Sequence, residues 1–172
     1  LGTADAKLDG TQLFALFVGM VAVPMLASWL LMHRFRVAWL AERADELGLR
    51  ESMADLDALI NRERDRGIPL TRIILAGFSQ GGAVVLAHML RQKIAVAGVI
   101  ALSTYLPFGS KNAEEMTEAA KSIPLFMAHG KFDQVVPMGL GEHSRQQLQQ
   151  LGVTVQFKTY PMQHNVCPEE IQ

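Results

Sequence analysis

The stretch Ala76–Leu86, AGFSQGGAVVL, sets Ser79 between two glycines, each two positions away. Ahead of it, TRIILAG is a short apolar run rich in β-branched residues, the kind that forms a buried parallel strand. Behind it, GAVVLAHMLRQ resumes as a helix. A G-x-S-x-G serine at a strand-to-helix turn reads as a nucleophile elbow, because the sharp turn lifts the hydroxyl clear of the C-terminal edge of a sheet. Gly77 and Gly81 are expected to remove side chains that would crowd the turn, and Gly82 to let the helix pack closely. The motif also arises by chance, so its weight depends on what the rest of the chain supplies.

Working outward, the same alternation repeats. Upstream, residues 42–66 are highly charged, yet Leu49, Met53, Leu56, Leu59 and Ile60 recur at helical spacing, which predicts an amphipathic helix stopped by Gly67 and Pro69. Downstream, VAGVIALS predicts a second strand, KNAEEMTEAAK a short helix, IPLFMAHG a third strand, GEHSRQQLQQLG a helix closed by Gly152, and VTVQFKTY a fourth strand. Strands alternating with helices through right-handed crossovers give a mostly parallel sheet with helices on both faces, so the fold class is α/β.

A serine hydroxyl needs a base to take its proton and an acid to orient that base. In a fold of this kind the acid follows the nucleophile in the chain and the histidine comes last, each on a loop just past a strand. IPLFMAHG runs into KFDQVVP and delivers Asp133; VTVQFKTY runs into PMQHNV and delivers His164. Either residue alone reads as an ordinary loop residue, whereas the three in this order predict a triad. His88 within a helix, His129 at a strand end beside Gly130, His143 on a polar helix and His33 beside the apolar lead are not candidates, and no pair of them has metal-site spacing.

Composition narrows the function further. The chain has 172 residues and a formal charge of −1, with no basic stripe interleaved with aromatics, which argues against a nucleic-acid partner. Cys167 is the single cysteine and cannot form an internal disulfide, in keeping with a cytoplasmic location. No charged residue lies between Asp9 and Arg34, and Leu13 to Met32 is apolar over the length needed to cross a bilayer. Pro24 near its middle leaves buried core elements as the other reading. If the run spans a membrane, Arg34 and Arg36 put the rest of the chain on the cytoplasmic side.

GFSQGGAVVLAHML, GVIALSTYLP, PLFMAHGKFDQVVP and TYPMQHNVCPEE together resemble the carboxylesterase, phospholipase and acyl-protein thioesterase family of α/β-hydrolases, from about Val37 to Gln172. The resemblance implies a 37–172 hydrolase domain that cleaves a small-molecule ester or thioester, a lipid or an acylated protein, with no metal or organic cofactor. Ser79 is then the nucleophile, Asp133 the acid and His164 the base, and the Gln80 backbone N–H forms half of the oxyanion hole. The segment Ser103–Pro107 would border the acyl pocket, and Gln134 stands where a proline is common. Residues 1–36 are similar to nothing in that family: the HG-containing loop that supplies its second oxyanion donor has no counterpart there. A membrane segment, a truncated or aberrant N-terminus, and a catalytically impaired hydrolase are the expectations that this lead raises.

Overall fold

The computed structural model describes residues 46–171, of which Ile171 is described by its backbone alone. Helix α1 runs over residues 46–65. Leu49 and Ile60 are buried on one stripe, with Leu56 packed against the core, while Leu59 is half exposed because one step along a helix turns it about 100° from Ile60. Gly67, at φ 89°, ends the helix as expected: its amide bonds the Arg64 carbonyl at 2.8 Å and that of Ile68 bonds Glu63 at 3.0 Å. The next turn is a 3₁₀ helix, Leu70–Arg72, so the first strand begins later than the sequence suggests.

Four strands follow: β1 Ile74–Phe78, β2 Gly98–Leu102, β3 Leu125–Gly130 and β4 Val155–Tyr160. They lie side by side in chain order, all parallel. Helices α2 Gln80–Arg91, α3 Lys111–Glu115, α4 Met138–Gln150 and α5 Pro168–Ile171 alternate with them. The predicted helix over 111–121 is divided, with Glu118–Ser122 forming a separate 3₁₀ turn.

Register explains where the core sits. Leu75, Val99, Leu125 and Val155 form one row across the sheet and Gly77, Ala101, Met127 and Phe157 the next. Both rows belong to the face on which α1, α2 and α4 build the core. Small residues at Gly77 and Ala101 let α2 approach β1 and β2 closely. Leu86, Met89 and Leu90 of α2 are fully buried there, each stabilising the fold by about 2 kcal/mol. On the opposite face Ile74 and Phe78 remain 59% and 38% exposed.

No helix among the described residues is long and apolar enough to cross a membrane. The Leu13–Met32 run and the boundary expected at residues 36/37 lie outside the described residues.

Candidate active site

Parallel strands send every C-terminal end to the same edge of the sheet, and that edge gathers the candidate residues. Ser79 follows β1 directly, Asp133 lies three residues past β3, and His164 four residues past β4. His164 Nε2 is 3.0 Å from the Ser79 hydroxyl and its Nδ1 is 2.8 Å from Asp133 Oδ2. All three predicted triad residues are thus joined in one chain of hydrogen bonds. The Phe78 ring lies against the imidazole, centroids 4.7 Å apart.

The Asp133 side chain is fully buried, and burial pushes its pKa up. The hydrogen bond from His164 and those from the Val136 and Val135 amides, each 2.9 Å from Oδ1, outweigh that penalty and hold the carboxyl below its ordinary value. An ionised Asp133 fixes the hydrogen of His164 on Nδ1, which leaves Nε2 as the acceptor for the serine proton.

Ser79 stands at φ 55°, ψ −123°, outside the regions that residues with a Cβ ordinarily occupy. Gly77 is required for a steric reason: a Cβ there would come within 2.3 Å of the Gly81 carbonyl oxygen. At Gly82 a Cβ would meet Thr104 at 2.6 Å. The expectation for Gly81 needs correction. Among the described residues a Cβ at Gly81 meets nothing within 4 Å, whereas the Gly81 backbone itself is pressed against Gly77 at the elbow. Gln80 is the first residue of α2, immediately after Ser79, where a backbone amide has no acceptor within the helix.

Three residues to which the sequence analysis gave no part in placing Ser79, Asp133 and His164 shape the site. Thr104 turns inward at the end of β2, and its hydroxyl donates to the Ser79 carbonyl at 2.7 Å. Around it, Ser103, Leu106 and Pro107 are buried, so of the segment expected to border an acyl pocket only Tyr105 is partly open to solvent. Gly130 lets the acid and histidine loops meet: a Cβ there would lie 2.3 Å from the Gln163 carbonyl oxygen and 2.5 Å from that of Met162. The loops are also joined by backbone bonds from Lys131 to Tyr160 at 2.8 Å and from Phe132 to Met162 at 3.0 Å. His129, buried beneath this turn, is the third. A glycine and a histidine ending a strand were visible in the sequence, but the contacts that make them matter are tertiary.

The sequence profile of the phospholipase/carboxylesterase family matches residues 23–172. The chain belongs to that family. The match begins upstream of Val37, where the sequence resemblance faded, so the lead is not wholly foreign to the family. Acyl-protein thioesterase 1 of Cryptococcus neoformans var. neoformans serotype D is 42% identical over 146 residues, 77% of this chain and 61% of that protein. Acyl-protein thioesterase 1 of Neurospora crassa is 46% identical over 135 residues, 77% of this chain and 55% of the relative. Among solved structures, Arabidopsis thaliana SOBER1 superposes with a TM-score of 0.68 at 31% identity, covering 72% of this chain and 59% of SOBER1. The chain therefore spans about 60% of the length of these relatives. The shared fold is that of the α/β-hydrolases.

Proposed function

We propose that this chain is a cytoplasmic serine hydrolase that cleaves carboxylic esters or thioesters through an acyl-enzyme. The observation that carries the reading is the continuous path Asp133 Oδ2, His164 Nδ1, His164 Nε2, Ser79 Oγ, with links of 2.8 and 3.0 Å. Ser79 Oγ attacks the substrate carbonyl while His164 Nε2 takes its proton. The Gln80 N–H faces the developing oxyanion, and the imidazolium then protonates the leaving alcohol or thiol. Water, activated by the same imidazole, attacks the acyl-serine and releases the acid. Asp133 stays ionised throughout and stabilises the imidazolium. Relatives named acyl-protein thioesterase and carboxylesterase support an ester or thioester as substrate, with acyl groups on proteins as the specific class.

The test is hydrolysis of a short-chain aryl ester by the purified chain beside Ser79→Ala, both checked for folding by circular dichroism. Turnover is expected to fall by a factor of about 10⁴ or more in the variant, since the triad acts as a unit. Equal turnover in the two would remove Ser79 from the reaction. A folded wild-type chain without any turnover would leave the triad an inherited arrangement lacking a complete oxyanion hole.

A further inference from the structure

We propose that His129 is a positioning residue for the acid of the triad: seated behind Asp133, it ties the turn after β3 to the strand end and fixes the direction of the carboxylate. The inference rests on the hydrolase reading above. His129 is the penultimate residue of β3, alternating inward with Leu125 and Met127, and it is 1% exposed. Its Nε2 lies 2.8 Å from the Val136 carbonyl oxygen and 3.6 Å from Asp133 Oδ2. The Val136 amide in turn donates to Asp133 Oδ1 at 2.9 Å. Val136 is therefore held from two sides, its N–H by the carboxylate and its C=O by the imidazole. This leaves Oδ2 aimed at His164.

The other side of the ring decides which nitrogen carries the hydrogen. Nδ1 is buried and has no hydrogen-bond partner among the described residues. It faces α4 at Gly141, where a Cβ would come within 2.4 Å of it. A hydrogen on Nδ1 would be a buried donor without an acceptor, which is costly, so the hydrogen sits on Nε2 and the ring is the donor to Val136. On the α5 side the buried Glu170 carboxyl interacts electrostatically with the ring without a hydrogen bond between them. A histidine that only filled the core would need neither the shared grip on Val136 nor the glycine opposite its bare nitrogen.

Three variants test this: His129→Leu removes the donor at similar volume, His129→Gln keeps an N–H near the position of Nε2, and Gly141→Ala displaces the ring without changing it. Two readouts are taken on folded protein. The first is kcat and KM for the aryl ester. The second is the low-field proton resonance of the His164 Nδ1–H···Asp133 hydrogen bond, assigned by its absence in His164→Ala. His129→Leu and Gly141→Ala are expected to lower kcat about 10- to 100-fold with KM within twofold, and to shift or broaden the resonance. His129→Gln is expected to recover kcat to within about threefold and to keep the resonance. An unchanged kcat and resonance in His129→Leu, or equal damage in the Leu and Gln variants, would overturn the assignment. If the wild-type chain lacks Ser79-dependent turnover, the hydrolase reading fails, yet the resonance still decides whether His129 orients Asp133. If His129→Leu does not fold, Gly141→Ala and His129→Gln carry the same decision.

Discussion

The backbone angles of Ser79 cost a residue with a side chain about 1–3 kcal/mol, and particular contacts hold them in place. The Ser79 amide bonds the Leu102 carbonyl at 2.9 Å, and the Ser79 carbonyl accepts from Ala83 at 3.2 Å and from the Thr104 hydroxyl at 2.7 Å. Thr104→Val removes the last donor while keeping a similar shape against Gly82. It is expected to lower stability by about 1 kcal/mol and kcat by about tenfold, measured by thermal melting and steady-state ester hydrolysis. Gly130 acts on the other half of the triad. Gly130→Ala drives a methyl into two carbonyl oxygens of the histidine loop, neither of which can yield without moving His164. Because a misplacement of about 1 Å at a reacting group costs about 100-fold in rate, kcat is expected to fall by that order while far-ultraviolet circular dichroism stays close to wild type. A variant with full activity would mean that the loop relaxes without carrying His164 along.

Helix α3, at five residues, is too short to stand on its own hydrogen bonds, and tertiary contacts hold it. Its last residue, Glu115, accepts from Arg50 of α1 at 2.8 Å and from Arg91 of α2 at 2.6 Å. Both guanidinium groups also lie over the Phe108 ring, at 5.0 and 4.7 Å from its centroid. The Arg50 hydrogen bond leads in holding the Glu115 carboxyl below its ordinary pKa, with Arg91 adding to it against the penalty of burial. Arg91 is only 13% exposed, so Glu115→Gln leaves a nearly buried cation short of its counter-charge. The expected loss is about 1–2 kcal/mol, discounted because Glu115 itself is partly solvated, and it should appear as a lower urea midpoint at unchanged slope. The strands were legible because each is a short apolar run between turn signals, and the placing of Ser79, Asp133 and His164 on one sheet edge because they follow β1, β3 and β4 in order. The break between α3 and the 3₁₀ turn was not, since the Thr117 amide is captured by the Leu90 carbonyl at 2.9 Å, a partner 27 residues away that no local pattern announces. Thr104, Gly130 and His129 escaped for the same reason: what distinguishes them is which loop they meet.

At the scale of the described molecule, one sheet edge holds Ser79, its Thr104 support, the Asp133 turn and His164, and buried or paired carboxyls there and elsewhere set the dependence of stability on pH. Asp133 and Glu115 have folded-state pKa values below their ordinary ones. Each contributes stability that is present above the ordinary carboxylate pKa of about 4 and is lost as the pH falls through the folded value. Glu170 has the opposite sign. Burial raises its pKa, so its contribution is full below about pH 4 and disappears as the pH rises through the folded value. Among the described residues, Asp133 and Glu115 therefore withdraw stability on acidification below about pH 4, whereas Glu170 withdraws its own as the pH rises toward neutral. Thermal midpoints followed by circular dichroism between about pH 3 and pH 8 separate these effects. Asp133→Asn should flatten the acid limb, because it removes a carboxylate that must be protonated there. Glu170→Gln should raise the midpoint at neutral pH by about 2–4 °C, corresponding to about 1 kcal/mol in a chain of this size, and leave the acid limb nearly unchanged. A lowered neutral midpoint in Glu170→Gln would mean that the ionised carboxylate is stabilising in place, and that its buried oxygens are better served by charge than by an amide.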